Sequence, residues 1–233
     1  MDLWLWLIVG YIISMSIGQY IGKIFIHKIH VYQIMFYQYI ASLIVVSTYI
    51  FFFNPDKSFF DIPLYFVVIG IMYTVGISSK YLAKKQSLSK STVMGKSADF
   101  MAIGLAVLFL GELSLFDPST SSGVKKIIAM ILIILTTFLF YQRKNHKGSE
   151  ETFNYKKWIK WMSINIIVIG VAKFVVKYAV DTNEPLLILR LQYVGSFLTI
   201  AVLCYIKKIS IFIGWKNILS CLLIGVFVST SLA

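Results

Sequence analysis

The chain has 233 residues, of which 58% are hydrophobic and 14% charged, and its mean hydropathy is +0.81. A water-soluble domain of this length needs more polar surface, so the composition excludes that class. The formal net charge of +12 does not indicate a nucleic-acid partner. The lysines and arginines lie mostly in short segments between hydrophobic runs, where they set topology and meet anionic lipid head groups. The composition therefore predicts a membrane protein whose partner is the lipid bilayer.

Hydrophobic segments of helical length follow one another along the whole chain. Runs of about 18–24 apolar residues match the helix length needed to cross roughly 30 Å of hydrocarbon. The predicted segments are 3–26, 31–53, 63–83, 92–111, 123–142, 158–180, 185–206 and 217–233. Pro63 and Pro185 each suit the first turn of a helix, where no N–H is needed. The predicted fold class is an all-α polytopic membrane protein.

An internal repeat links the two ends of the chain. With an offset of 154 residues, segment 4–53 falls on segment 158–207 without a gap. The shared residues include the pairs Trp4/Trp158, Lys23/Lys177, Gln38/Gln192, Tyr39/Tyr193 and Ser42/Ser196. The pattern predicts a five-helix repeat over 1–142, a polar linker over 143–157 and a second repeat over 158–233. A repeat with an odd number of crossings is inverted in the membrane.

The second repeat reaches only its third helix at Ala233, so we expect two further helices beyond it and eight of ten helices in this sequence. Loop charges predict the topology. The loops after the first, third, fifth and seventh helices carry thirteen positive residues, and those on the opposite side carry three. The positive-inside rule then places the N-terminus outside.

Charged and amide side chains inside the predicted helices indicate a binding site. An isolated charge at the bilayer centre costs roughly 2.5–3.5 kcal/mol, so such groups are expected to face the bundle interior or a watery cavity. The predicted cations are Lys23, Lys96, Lys177 and Arg190, and the one acidic residue well inside a helix is Asp99. The excess of positive charge predicts an anionic substrate group. The predicted hydrogen-bonding partners of that substrate are Gln19, Gln38, Gln192 and Tyr193.

Other roles for the same residues stay open. Each lysine near a helix end can extend its ammonium group to the head groups instead. Asp99 lies three residues after Lys96, so the two can form a structural ion pair, or Asp99 can bind a coupling proton.

The sequence predicts neither a metal site nor an enzyme. His27 and His30 have helical spacing but no nearby carboxylate or cysteine completes a metal site. Cys204 and Cys221 lie in apolar runs and are interpreted as core residues. No P-loop, nucleophile elbow, zinc-protease motif or dinucleotide fingerprint is present. We therefore predict no cofactor.

Two local motifs and one pair of residues resemble a transporter superfamily. The stretch from Tyr81 to Ser89 through the Phe-Leu-Gly-Glu-Leu-Ser turn at 109–114 resembles the EamA-type members of the drug/metabolite transporter superfamily. The pair Lys177 and Arg190 resembles the lysine and arginine of helices one and two in that family. The Val-Met-Gly-Lys-Ser segment at 93–97 resembles a helix-four segment of nucleotide-sugar transporters, where the lysine is associated with the substrate cavity.

The resemblance implies two inverted five-helix repeats in the bacterial cytoplasmic membrane, with the N-terminus inside. That orientation differs from the one the loop charges predict, and Asp99 stands where EamA-type helices usually carry proline. The predicted function is a secondary transporter that moves a small anionic or zwitterionic metabolite by alternating access. A multidrug or cation exporter using Asp99, a membrane enzyme and a non-transporting membrane protein are the alternatives. The sequence leaves a homodimer open.

Overall fold

The computed structural model describes residues 3–25, 28–53, 66–142, 153–180 and 183–230. Within these ranges the regular structure is helical and contains no strand, which confirms the all-α fold class. The helices are α1 Leu3–Phe25, α2 Val31–Phe53, α3 Val67–Lys84, α4 Leu88–Met94, α5 Ser97–Leu110, α6 Ser121–Gln142, α7 Tyr155–Val180, α8 Pro185–Ile206 and α9 Trp215–Thr230. A 3-10 turn, Glu112–Phe116, precedes α6.

The helix boundaries follow the local sequence signals. Gly111 ends α5 with φ of 68°, a left-handed conformation that glycine adopts without strain. The carboxamide oxygen of Asn154 accepts a hydrogen bond from the backbone N–H of Lys157 at 2.9 Å, which caps the beginning of α7. Pro185 lies in the first turn of α8, as predicted. Pro63 lies outside the described residues.

The predicted helix over 92–111 is in fact two helices, α4 and α5, separated by Gly95 and Lys96. Both residues keep right-handed backbone angles, with φ and ψ of −60° and −21° at Gly95 and −70° and −19° at Lys96. The backbone N–H groups of Lys96, Ala98 and Asp99 each bond to the carbonyl three residues earlier, at 3.0, 3.4 and 2.9 Å. This 3-10-type tightening interrupts the α-helical ladder without turning the chain aside.

The helices form two compact units. The first unit comprises the chain up to Ser78 together with the chain from Val176 onward, and the second unit comprises Ser79–Val175. This division follows from which residues pack together. The predicted division at 142 and 158 follows from the repeated sequence, so the two need not coincide. The predicted repeat boundaries stay a prediction.

Helices α2 and α8 pack against each other in the first unit through residues that the sequence repeat matches. The rings of Tyr39 and Tyr193 lie 6.4 Å apart, and those of Phe36 and Phe197 lie 5.4 Å apart. Tyr39 and Tyr193 are themselves one of the repeat pairs. A residue that packs against its own counterpart is expected at a local two-fold axis.

Two serines of the repeat make matching bonds to two glycines of the first unit. The Ser42 hydroxyl on α2 donates to the Gly225 carbonyl on α9 at 3.1 Å. The Ser196 hydroxyl on α8 donates to the Gly70 carbonyl on α3 at 3.0 Å. The serines are 154 residues apart and the glycines 155. Helix α2 is thus bonded to α9, and α8 is bonded to α3. In both cases the second helix of one predicted repeat is bonded to the third helix of the other.

The same two glycines allow the closest helix approaches in these contacts. A β-carbon added at Gly70 would lie 2.2 Å from the backbone oxygen of Gln192, and one added at Gly225 would lie 2.3 Å from the backbone oxygen of Gln38. Real β-carbons do not come this close, so the backbones could not remain in place with any larger residue. Gln38 and Gln192 are again a repeat pair, and the two contacts are therefore equivalent in kind.

Trp158 on α7 forms the centre of the core in the second unit, together with Ala83 and Met162. Its indole N–H donates to the hydroxyl of Ser91 on α4 at 2.9 Å, and both residues are buried. The bond satisfies the one polar atom of the largest buried side chain and fixes α4 against α7.

Four of the described segments are long and apolar enough to cross a membrane: Val31–Phe52, Ser89–Leu110, Tyr155–Val180 and Pro185–Ile206. Helix α6 exposes a row of large apolar side chains, namely Ile128, Ile131, Leu132, Leu135, Phe138 and Leu139. An apolar surface of this kind is unfavourable in water and is accommodated by lipid. These features agree with the membrane protein that the composition predicts.

Candidate functional site

Four charged side chains gather around the interruption between α4 and α5 in the second unit. Lys96 belongs to the interruption, Asp99 lies in the first turn of α5, Lys80 comes from α3 and Lys173 from α7. Lys80 lies against Gly95, and Lys173 forms an ion pair with Asp99, so both lysines come to the interruption. We call these four residues the lysine cluster. Three ammonium groups face one carboxylate, so the cluster carries two formal positive charges in excess.

Asp99 forms its ion pair with Lys173. The spacing in the sequence predicts Lys96 as the partner, and the structure shows a different one. Helical side chains lean toward the N-terminus of their own helix, so Lys173 reaches back along α7 to the first turn of α5. Both side chains of the pair are 40% exposed. The sequence alone does not reveal this partner, because spacing along one helix carries no information on a second helix.

Lys80 lies directly against the helix interruption. A β-carbon added at Gly95 would lie 3.0 Å from Cε and 3.2 Å from Nζ of Lys80. The missing side chain at Gly95 therefore makes room for the end of the lysine. A glycine is a poor helix former, and here it both weakens the helix and admits a cation next to the weakened turn.

A cavity of about 390 Å³ adjoins the same interruption within the second unit. Met94 and Ser97, which flank Gly95 and Lys96, line it together with Phe100. The remaining lining residues come from α7 and α6, namely Tyr155, Trp158, Ile159, Met162, Ser163, Ile166, Ile134 and Phe138. We call this cavity the α5–α7 pocket. The Ser97 and Ser163 hydroxyls and the phenol of Tyr155 are the polar groups among mainly apolar side chains, a composition typical of small-molecule sites.

Gly170 sets how closely α5 and α7 approach each other beyond the pocket. A β-carbon added there would lie 2.8 Å from both Cβ and Cγ of Met101. The helices therefore touch at Gly170, and the pocket lies on the N-terminal side of this contact. Asp99 and Lys173 pair close to the same crossing.

The remaining predicted site residues that the structure describes belong to the first unit. Gln38 on α2 and Gln192 and Tyr193 on α8 are buried, with exposed fractions of 5%, 6% and 3%. The backbone at Gln38 lies against Gly225 of α9, and the backbone at Gln192 lies against Gly70 of α3. Lys177 is exposed in the last turn of α7, and Arg190 is half-buried on α8. The structure thus buries Gln38, Gln192 and Tyr193 in the first unit, and places Lys96 and Asp99 in the second unit.

Some predicted residues cannot be placed. Gln19 and Lys23 lie on α1, but their side chains are outside the described part of the structure, as is His27. His30 is exposed, and its backbone N–H donates to the carboxamide oxygen of Gln33 at 3.1 Å. Among the described residues no three His, Cys, Asp or Glu side chains could together hold a metal ion.

Lys80 and Lys173 are the members of the lysine cluster that the sequence analysis does not select. Lys173 lies four residues before Lys177 and shares its helix face, which is the only sequence signal it gives. Lys80 lies near the end of an apolar segment, where a lysine is ordinarily interpreted as extending to the head groups.

Comparison with known proteins adds no assignment to this geometry. No family model, curated protein or solved structure matches the chain.

Proposed function

We propose that the chain is a multi-pass membrane transporter that moves a small anionic or zwitterionic metabolite by alternating access. The observation that carries the proposal is the lysine cluster at an interrupted helix of membrane length. Interrupted helices with polar or charged groups at the interruption are a recurrent way to build substrate sites inside a bilayer.

The charges of the cluster favour an anion over a cation. Asp99 is engaged by Lys173, which leaves Lys80 and Lys96 without a carboxylate from the cluster. Each unbalanced charge inside a membrane costs roughly 2.5–3.5 kcal/mol, which an anionic ligand would offset. A cation exporter would need the Asp99 carboxylate, and a cation would then have to displace Lys173 and enter next to two more lysines.

The matched contacts of the first unit support an inverted duplication. The bonds Ser42–Gly225 and Ser196–Gly70 connect corresponding helices of the two predicted repeats in reciprocal fashion. Inverted repeats that can tilt against each other are the usual framework of alternating access. The resemblance to the drug/metabolite transporter superfamily adds a second, independent argument for the same architecture and function.

The proposal is tested by a thermal-unfolding screen of the purified chain in detergent, with libraries of anionic, neutral and cationic metabolites. A ligand at one hundred times its dissociation constant stabilises the folded state by about 2.7 kcal/mol. We expect stabilisation by anions or zwitterions. Lys96→Ala is expected to abolish it, whereas the control Lys125→Ala, which removes an exposed lysine of α6, is expected to retain it.

Compounds that pass the screen are then measured for uptake into liposomes that contain the chain. Uptake that Lys96→Ala abolishes supports transport of an anion. Stabilisation by cations alone, lost in Asp99→Asn, would replace the proposal with the cation exporter. Binding without uptake would assign a non-transporting membrane protein.

A further inference from the structure

We infer that the α5–α7 pocket and Lys96 together bind an amphiphilic monoanion, a carboxylate or sulfonate on one short alkyl or aryl group. This inference deepens the proposed function, on which it rests, because it names the chemical class of the substrate. Its basis is that a hydrophobic cavity and an excess positive charge adjoin the same two-residue interruption of a membrane-length helix.

The pocket provides the apolar half of the site. Phe100, Ile159 and Ile166 contribute apolar surface, and the indole of Trp158 has its N–H bonded to Ser91, so the ring offers the pocket no free donor. The hydroxyls of Ser97, Ser163 and Tyr155 are too few to solvate a fully polar ligand. An apolar group is therefore favoured inside, by roughly 25 cal/mol for each Å² that it withdraws from water.

Lys96 provides the charged half of the site. It lies between Met94 and Ser97, both of which line the pocket, and neighbouring Cα atoms are only about 3.8 Å apart. Its side chain is exposed, and Lys173 rather than Lys96 takes the carboxylate of Asp99. Lys80 lies on the interruption and adds positive potential there. Lys96 is next to the lining residues in the sequence and is not one of them, so a ligand with its apolar group in the pocket would extend its anionic group out of the pocket to reach this ammonium group.

The position along the membrane-length segment suits such a ligand. Lys96 lies seven residues after Ser89, where the segment begins, which corresponds to roughly 10 Å of helix. Ile134 and Phe138 form the α6 side of the pocket and are 52% and 55% exposed, on the face that lipid is expected to cover. An amphiphile that partitions into a bilayer would therefore reach the pocket from the lipid.

The size of the pocket selects a small ligand over a membrane phospholipid. A volume of about 390 Å³ is at the lower end of the range for small-molecule sites. At about 30 Å³ for each water molecule of the liquid, it holds on the order of a dozen non-hydrogen atoms. One short chain or one small ring system fits this space, and two long acyl chains do not.

Trp158 lines the pocket and provides the test. Bromine quenches tryptophan fluorescence on contact, so the intact chain in detergent is titrated with 11-bromoundecanoate, its neutral analogue 11-bromoundecanol and an 11-bromoundecyl ammonium salt. The signal of Trp158 is the difference between the native chain and Trp158→Phe, which removes the contribution of the other tryptophans. We expect saturable quenching by the carboxylate, and at least about tenfold weaker apparent affinity for the alcohol and the ammonium salt.

Matched variants separate the two halves of the site. Lys96→Gln is expected to weaken carboxylate binding about tenfold and to leave the alcohol unchanged, because it removes a charge-assisted contact. Lys125→Gln is the charge control on an exposed position of α6. Ser163→Phe fills the pocket from an exposed position of α7 and is expected to abolish quenching by both compounds. Ile167→Phe, an exposed residue of the same helix outside the lining, is its control.

Several results would overturn the inference. Equal affinities for carboxylate and alcohol would show that the pocket binds any hydrophobic chain. Unchanged carboxylate binding in Lys96→Gln would show that Lys96 does not bind the carboxylate. Quenching in nanodiscs by a phospholipid with brominated acyl chains, undiminished by excess undecanoate, would assign the pocket to lipid. Absence of Trp158 quenching by all compounds would show that none of these amphiphiles binds in the pocket. These assays measure binding and not transport. If they are negative and uptake of a metabolite into liposomes is still observed, the proposed function stands with another class of substrate.

Discussion

The two compact units differ in how their helices pack and in the polar groups that lie between the helices. In the first unit, helices approach through glycines and exchange serine-to-carbonyl bonds, and all of these groups are neutral. In the second unit, a helix is interrupted, three lysines and one aspartate gather at the interruption, and a cavity opens beside it. Close neutral packing brings helices together, whereas charge and empty volume are what a ligand requires.

The comparison suggests a division of roles within the chain. The first unit is expected to lose stability when a substitution increases the volume of a side chain at a close helix contact. The second unit is expected to lose stability mainly when buried polar atoms lose their partners.

The largest effect is expected from Gly70→Leu and Gly225→Leu. Their β-carbons would lie 2.2 and 2.3 Å from backbone oxygens, which cannot turn aside as a flexible side chain can. Ordinary overpacking costs roughly 1–3 kcal/mol, and we expect about 3 kcal/mol or more here. Size-exclusion profiles and thermal unfolding in detergent measure the loss.

A matched control exists in Gly104→Leu, since nothing lies within 4 Å of a β-carbon at Gly104. If Gly70 and Gly225 form equivalent contacts, the alanine variants at these two positions should lose similar amounts of stability. A chain that accepts Gly70→Leu as readily as Gly104→Leu would contradict the close crossing.

Trp158→Ala is expected to produce the next largest effect, because it empties the centre of the second unit's core. Loss of a buried aromatic side chain costs about 3–5 kcal/mol. Ser91→Ala is expected to cost about 1–3 kcal/mol, because it leaves the buried indole N–H of Trp158 without its acceptor. Chemical or thermal unfolding gives both values, and Trp215→Ala, at a position 78% exposed, is the control. Equal stability of Ser91→Ala and the native chain would mean that another acceptor replaces the hydroxyl.

The positions of the helices can be read from the sequence to a large extent. Long apolar runs bounded by polar or proline-containing segments define α2 and α8 to the residue, and Pro185 fixes the beginning of α8. The interruption at Gly95 is hidden in an apolar run, because 3-10 and α-helical bonding use the same residue types. One glycine in such a run does not indicate a break by itself.

The candidate site is predicted less completely than the fold. Lys96 and Asp99 stand out because charges in an apolar run are rare, and both belong to the lysine cluster. Lys173, the partner of Asp99, depends on how α5 crosses α7 at Gly170, which no pattern along one helix specifies. Gln38 and Gln192 illustrate another case, since their polarity predicts a site and the structure buries both side chains within the first unit.

A smaller effect is expected from separating Asp99 and Lys173. Asp99→Asn and Lys173→Gln each remove one charge, and the double variant removes both, so the stabilities form a double-mutant cycle. We expect a coupling free energy of about 1 kcal/mol for this half-exposed pair. The cycle of Asp99→Asn with Lys96→Gln should give less than about 0.5 kcal/mol, the value for groups that do not share a contact. A larger coupling of Asp99 with Lys96 than with Lys173 would instead support Lys96, the partner that the sequence spacing predicts.

The smallest predicted effect concerns Asp117 in the turn before α6, outside the membrane-crossing segments. Its carboxylate accepts the backbone N–H of Ser119 at 2.8 Å, and its pKa is lowered chiefly by this bond and also by the Ser119 hydroxyl. Because the folded pKa lies below the unfolded one, the contribution of the bond is present at neutral pH. It is lost as the pH falls through the folded pKa.

The measurement is the hydrogen-exchange protection of the Ser119 amide as a function of pH, corrected for intrinsic exchange. Protection should fall on acidification in the native chain. Asp117→Asn keeps a carbonyl acceptor at the same position, as asparagine does in such turns, and should retain protection at every pH. Asp117→Ala should lose protection throughout. Identical pH profiles for the native chain and Asp117→Asn would show that the carboxylate does not control the turn. The beginning of α6 would then depend on Thr120, whose hydroxyl accepts the Gly123 N–H at 3.0 Å.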